Sequence, residues 1–145
     1  MTNAKLFLVA LALAAFSGVA VSNTKAAAAA ASASVTFSAQ QTVAGQKAYG
    51  QSCAQCHGAT LQGGAGPALT GASFQAQTSS TTPTVGALFT YITKNMPLTA
   101  PGSLSHDQYV SILAFVLSKN GYKAGGAPLT FQSATSSTAK VIKGS

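Results

Sequence analysis

Cys53-Ala54-Gln55-Cys56-His57 is the stretch around which the rest of the chain is organised. On a turn of helix, positions i and i+3 lie on the same side, so the two cysteine thiols can reach one planar group together. The histidine that follows is carried to the same place. The spacing C-x-x-C-H is the attachment sequence for a c-type haem. It predicts that Cys53 and Cys56 bind the vinyl groups of one porphyrin and that His57 binds its iron.

Two cysteines at this spacing have other interpretations. A disulfide between Cys53 and Cys56 would close a very short loop, and the stabilisation from a disulfide grows with loop length. A thioredoxin-like redox pair needs a βαβ setting, and no β-type alternation flanks the motif. A zinc site would need a second pair of ligands, for which only His106 remains. Covalent attachment of a single haem c is therefore the prediction we carry forward.

The composition allows one domain and is unusually poor in charge. The chain has 145 residues, of which 47% are hydrophobic and 6% are charged, against roughly 25% charged residues in an average globular protein. Eight lysines and a single acid, Asp107, give a formal net charge of +7. The basic residues are scattered along the chain, and together with the predicted export this speaks against nucleic-acid binding.

The N-terminus has the pattern of a secretory signal. Residues 1–5 are short and basic, residues 6–21 are mostly apolar, and small residues follow. We expect a signal peptide over residues 1–26, cleaved after Ala20, Ser22 or Ala26, and a periplasmic protein with no membrane span after cleavage. A spanning helix needs about 20 apolar residues, so an uncleaved anchor is the strained alternative. Residues 27–37, rich in Ala and Ser, are predicted to be a linker.

The first helix is predicted from Ser38-Ala39-Gln40-Gln41, which has the S-x-x-Q form of a capping box. It leads into Cys53, so the haem motif lies at its end. Residues 58–71 then contain five glycines and a proline, which predicts a loop of tight turns. This loop follows no strand and lacks the Lys-Ser/Thr of a P-loop, so we expect it to let backbone pass close to a flat group. Phe74 and the Ser/Thr-rich stretch to Thr82 are predicted to continue it.

Two further helices complete the predicted domain, which spans residues 38–124. One begins at Thr82-Pro83, an N-cap followed by proline, and ends by Asn95 to Met96 because Pro97 cannot continue a helix. The other begins at the capping box 105–108 and stops at Asn120-Gly121. Residues 125–145 are predicted to be a polar, mobile tail.

The second iron ligand is sought among very few residues. Once Met1 leaves with the signal peptide, Met96 is the only methionine, and His106 is the only other histidine. A lone methionine is often core filler, but Met96 lies on a loop beside Pro97 rather than on an apolar helix face. His106 stands at the first position of a capped helix, where a solvated side chain is usual. Met96 is the predicted ligand, with His106 as its rival, and His/Met ligation favours a high reduction potential.

With these motifs in place, residues 38–123 resemble class I cytochromes c of the small bacterial periplasmic type, including domains attached to dehydrogenases. The resemblance implies an all-α fold of three to five helices packed around the haem. It implies that the Pro67 carbonyl accepts a hydrogen bond from the His57 imidazole. It also implies that Gly45 and Tyr49 cross the last helix near Phe115. The dense lysine ring of the mitochondrial proteins is missing, so no particular partner follows.

The resemblance and the predicted six-coordinate iron favour a one-electron carrier with redox protein partners such as a dehydrogenase, a cytochrome complex or an oxidase. A fixed haem relay in a larger complex is the alternative. A haem enzyme, such as a peroxidase or a sulfur-oxidising cytochrome, would need a labile sixth position with acid and base groups nearby. His106 and Asp107 are the only candidates for such groups, and neither is expected in the haem pocket, so we expect no enzyme.

Overall fold

The computed structural model describes residues 35–141, and in this part of the chain α-helices are joined by loops, with one isolated bridge between Thr84 and Lys140. The predicted all-α fold is confirmed. Six helices rather than three to five are present in this range, because two of them are single short turns. The helices are α1 (Ala39–Ser52), α2 (Ala54–His57), α3 (Gly71–Thr81), α4 (Val85–Asn95), α5 (His106–Lys119) and α6 (Phe131–Thr135). The predicted signal peptide, residues 27–34 of the predicted linker and residues 142–145 lie outside the described residues.

The first helix begins at the predicted capping box. The Gln41 amide donates to Ser38 Oγ at 3.1 Å, and the Ser38 amide donates to Gln41 Oε1 at the same distance. α1 ends at Ser52, and the Cys53 amide still donates to the Tyr49 carbonyl at 2.8 Å. The haem motif thus directly follows α1, with Cys53 as the C-cap of α1 and the other four residues in the short helix α2.

The most extensive helix pair is α1 against α5. At their crossing, a Cβ added to Gly45 would overlap the Ser111 carbonyl and lie 2.9 Å from Phe115 Cβ. One turn later, the Tyr49 and Phe115 rings have centroids 5.3 Å apart. This is the crossing that the resemblance implies, and it is confirmed. Glycine is required here because the two backbones leave no room for a side chain.

The last long helix is the centre of the core. Its capping box is present, since Gln108 donates to Ser105 Oγ at 3.2 Å and Ser105 donates to Gln108 Oε1 at 2.9 Å. Every residue from Tyr109 to Leu117 is buried, so α5 is surrounded on all sides rather than along one stripe. The helix ends at Lys119 with Asn120 as its C-cap, as predicted.

The prediction of a continuous loop from residue 58 to Thr82 is wrong, because Gly71–Thr81 forms helix α3. Phe74 and Thr78 are the two buried residues of this helix. Thr78 Oγ1 donates to the Phe74 carbonyl at 2.8 Å, and neighbouring hydroxyls bond back in the same way. With Phe74 as its one large buried residue, the helix has no repeating apolar pattern in its sequence. Its Ser/Thr-rich composition by itself favours a loop.

The predicted start of the next helix, at Thr82-Pro83, is also wrong. The N-cap of α4 is Thr84, whose Oγ1 accepts from the Ala87 amide at 3.2 Å. The first free amides of the helix, on Val85 and Gly86, donate to the carbonyls of Ala139 and Ser137 at 2.8 and 3.0 Å. The C-terminal segment therefore completes the N-terminal cap of α4, which lies two residues after the predicted one. The end of α4 at Asn95 agrees with the prediction.

The C-terminal segment packs on the domain, in contrast to the predicted mobile tail. Leu129, Ala134 and Val141 are 6%, 0% and 1% exposed. The Phe131 ring lies between Phe89, at 5.0 Å between centroids, and His106, at 3.8 Å. These apolar residues are separated by polar ones at no regular spacing, so their pattern does not indicate a packed segment.

The end of the predicted linker is packed as well. Phe37 is fully buried, Val35 is 9% exposed, and the Phe37 carbonyl accepts from the Gly125 amide at 3.1 Å. The folded unit therefore extends beyond the predicted limits of 38 and 124 on both sides. Both extensions meet at Phe37, where chain segments from the two ends of the domain lie side by side.

Candidate haem-binding site

The two cysteines lie on one tight turn and are both free thiols. The amides of Cys56 and His57 both donate to the Cys53 carbonyl, at 3.1 and 2.9 Å, which fixes the turn that carries all three residues. Cys56 is exposed and Cys53 is partly buried. Burial, and secondarily the charge of Cys56, raises the pKa of Cys53 to about 11, so its neutral thiol predominates at neutral pH. The disulfide considered from the sequence is not formed, and both sulfurs remain available for attachment.

His57 is held by the hydrogen bond that the resemblance implies. Its Nδ1 lies 2.7 Å from the Pro67 carbonyl oxygen. A carbonyl can only accept, so Nδ1 carries the proton and Nε2 presents its lone pair. A second partner of this kind orients a metal-binding imidazole and makes it a stronger donor. The ring is thereby prepared to bind iron through Nε2.

The glycine-rich loop wraps around the backbone of this turn. The Gly66 amide donates to the Cys56 carbonyl and the Gly63 amide to the His57 carbonyl, both at 2.8 Å. A Cβ on Gly66 would lie 2.9 Å from His57 Cε1, closer than a side chain can approach. The loop does let backbone pass close to a flat group, and in the structure that group is the imidazole.

Tyr49 belongs to the site, although the sequence indicated only its place in the helix crossing. Its hydroxyl donates to the Gly58 carbonyl at 2.7 Å, and only 2% of the residue is exposed. Burial, and secondarily the charge of Cys53, raises the pKa of Tyr49 to about 12. The bond anchors the residue that directly follows His57. No sequence signal shows this contact, because a side chain that reaches a backbone carbonyl nine residues away follows no periodic pattern.

Met96 is the C-cap of α4 and lies outside the core. Its amide donates to the Ile92 carbonyl at 2.9 Å, and its own carbonyl accepts from the Tyr109 hydroxyl at 2.6 Å. It is half-buried and belongs neither to the hydrophobic core nor to the partly buried residues packed against it. Core filler is therefore not its role. The rival ligand, His106, stacks on Phe131 with an interplanar angle of 21°.

The chemistry of these donors fits haem c. Two free thiols and an imidazole with Nε2 available lie on one turn, and a thioether not used in the core lies at the end of α4. Cys53 and Cys56 would attach the porphyrin, while His57 and Met96 would hold its iron. Bound there, the group supplies an iron that cycles between ferrous and ferric forms.

Together, this helical fold and these donor residues define a cytochrome c domain that resembles class I cytochromes c. The match of a family sequence model then identifies one family within this class. The chain belongs to the family described as "Cytochrome C oxidase, cbb3-type, subunit III", whose model matches residues 40–116. This span covers more than half of the chain and includes the haem motif, Pro67 and Met96. No curated protein and no solved structure matches the chain.

Membership of this family implies a covalently bound haem c and electron transfer through that haem to or from redox partners. Within residues 35–141, no helix is both long enough and apolar enough to cross a membrane.

Proposed function

We propose that this protein is a periplasmic one-electron carrier with a single haem c, attached through Cys53 and Cys56 and ligated by His57 and Met96. The observation that carries the proposal is the 2.7 Å contact between His57 Nδ1 and the Pro67 carbonyl beside two free thiols. This contact supports the proposal because it leaves Nε2 free to bind iron on the same turn as the two thiols. With Met96 as the second ligand, the iron is six-coordinate and makes or breaks no bond in a substrate.

The visible spectrum of the ferric holoprotein tests the ligand set. We expect a low-spin spectrum with a weak far-red sulfur-to-iron band, and loss of that band in Met96→Ala. Leu98→Ala is the matched control, since Leu98 lies two residues further along the same loop and is 75% exposed. A high-spin wild-type protein would contradict the proposal and would favour a catalytic haem enzyme.

Redox partners would meet the haem edge near Cys53 and Cys56, with exposed lysines such as Lys94 and Lys119 steering the encounter. Steering by exposed charges speeds association and weakens as salt is added. We expect the electron-transfer rate with the physiological partner to depend on ionic strength, and the slope to be smaller in Lys94→Ala. A rate unaffected by ionic strength would exclude the steering role.

The family description favours a second candidate, a fixed haem relay in a respiratory or dehydrogenase complex, because it names a subunit of an oxidase. The chemistry at the iron is the same in both candidates. They differ only in whether the protein is bound to other subunits. Purification of the tagged chain from its native cells distinguishes them. A free carrier is released with the soluble periplasmic fraction, whereas a relay subunit is recovered from detergent-solubilised membranes in constant ratio with other subunits.

A further inference from the structure

We propose that Tyr109 is a positioning residue for the distal iron ligand, because its hydroxyl fixes the backbone of Met96. The inference rests on the proposed function, in which Met96 binds the iron. It concerns a residue of α5 whose link to Met96 no sequence pattern indicates.

The contact is short, and its donor belongs to a buried residue. Tyr109 Oη donates to the Met96 carbonyl at 2.6 Å, and Tyr109 is 2% exposed. The other donor to this carbonyl, the Gly102 amide, lies at 3.4 Å, which is long for a hydrogen bond. The tyrosine hydroxyl is therefore the strong partner of the Met96 carbonyl.

The backbone hydrogen bonds of the loop that carries Met96 are local: the Met96 amide donates to the Ile92 carbonyl and the Ala100 amide to the Pro97 carbonyl, both at 2.9 Å. Met96 follows the last residue of α4 with extended backbone angles, at φ −120° and ψ 150°. Leu98, two residues later, is 75% exposed, so the loop does not anchor an apolar side chain there. The bond from Tyr109 joins the start of this loop to the side of α5.

The helix that supplies the hydroxyl is itself firmly placed. The Tyr109 amide donates to the Ser105 carbonyl at 3.0 Å, within the capped first turn of α5. Further along the same helix, Phe115 packs on Tyr49, which in turn binds the Gly58 carbonyl next to His57. One buried helix is thus linked to both segments that carry the proposed iron ligands, to Met96 directly through Tyr109 and to the His57 segment through Phe115 and Tyr49.

The test is imidazole binding to the ferric holoprotein of Tyr109→Phe, a change that removes the hydroxyl and keeps the ring. Imidazole competes with the thioether, so its affinity reports how readily Met96 leaves the iron, and the far-red band follows the displacement. We expect imidazole affinity to rise about three- to tenfold, the factor that one neutral hydrogen bond contributes. We also expect the reduction potential to fall, since the thioether favours ferrous iron.

Two matched variants control for the loss of a tyrosine hydroxyl. Tyr91→Phe alters an exposed tyrosine on α4. Tyr122→Phe removes a hydroxyl that donates to the Lys140 carbonyl at 2.6 Å, a bond of equal length in the C-terminal segment. Both should leave imidazole affinity at the wild-type value.

The outcomes separate this inference from the proposed function. A Tyr109→Phe protein with wild-type imidazole affinity and potential would overturn the positioning role, even if its free energy of unfolding falls, because the tyrosine would then be structural only. A wild-type protein without the far-red band would overturn the Met96 assignment and this inference together. A weakened Met96 bond in Tyr109→Phe alone supports both.

Discussion

Gly66 lies against the His57 imidazole, and its lack of a side chain sets how this proposed iron ligand is held. A Cβ there would lie 2.9 Å from Cε1 and 3.0 Å from Nδ1. We expect Gly66→Ala to push the ring and the Pro67 carbonyl apart. A weaker bond at Nδ1 makes the imidazole a poorer donor to ferric iron, so the reduction potential should rise. The overpacking should also lower the free energy of unfolding by about 1–3 kcal/mol.

A redox titration of the holoprotein measures the first effect and denaturant unfolding the second. Gly50→Ala is the control, because a Cβ at Gly50 meets no atom within 4 Å. A well-folded Gly66→Ala protein with the wild-type potential would show that Gly66 does not act on the iron through His57.

The hydroxyl of Tyr49 gives the fold a dependence on alkaline pH. Its pKa rises from 10.0 to about 12 in the folded protein, mainly through burial. Because the folded-state value exceeds the unfolded one, the neutral phenol stabilises the fold fully below pH 10, and this contribution is lost as the pH rises from 10 through 12. In the holoprotein Cys53 is a thioether without charge, so burial alone acts there, and we expect the wild type to lose more unfolding free energy than Tyr49→Phe across this range.

Denaturant unfolding at a series of pH values checks this. Tyr91→Phe, at a 51% exposed position, serves as control and should follow the wild type. If the free energy of unfolding changes with pH in the same way in wild type and Tyr49→Phe, the pKa of Tyr49 does not change on folding.

At the scale of the helices, two glycines of α1 should behave in opposite ways. A Cβ on Gly45 would meet the Ser111 carbonyl and Phe115 at the crossing with α5, whereas Gly50 faces open space. We expect Gly45→Ala to lower the free energy of unfolding by about 1–3 kcal/mol, because the two helix backbones would have to move apart to make room for the methyl group. Gly50→Ala should raise it by about 0.5–1 kcal/mol, the difference in helix propensity.

Chemical denaturation of the two holoproteins measures both values. Because the pair makes the same chemical change in one helix, propensity cancels in the comparison and the remainder reports the crossing. Equal effects of the two substitutions would contradict the close packing of α1 on α5.

Elements with a local signal were predictable, and elements held by distant contacts were not. The capping boxes at Ser38 and Ser105 set both helix starts, because a capping box is contained within four residues. Helix α3 has only Phe74 as a large buried anchor, and its hydroxyls bond back to its own carbonyls. The start of α4 depends on carbonyls of Ser137 and Ala139, some fifty residues away in sequence, which no local pattern encodes.

At the scale of the whole molecule, the residues of the site also divide into those with a local sequence signal and those placed by distant contacts. The haem motif is five consecutive residues, and Met96 stands out because so few other ligands exist. The hydroxyls of Tyr49 and Tyr109 act through single bonds to backbone carbonyls, and such contacts exist only once the helices have packed. Sequence therefore supplies the candidate ligands, while the fold is needed to identify the residues that hold them.

The covalent haem should decide whether this small domain folds. Small domains bury too little surface to be very stable alone, and apolar residues in the segments adjoining the site, among them Leu69, Ile92 and Leu104, are only partly buried by protein. We expect Cys53→Ala/Cys56→Ala apoprotein to lack most of the helical circular dichroism of the holoprotein and to show no cooperative unfolding. Ser79→Ala/Ser80→Ala, at exposed positions of α3, is the control and should load haem and fold normally. A cooperatively folded double cysteine variant would show that packing of α1 on α5 suffices without the porphyrin.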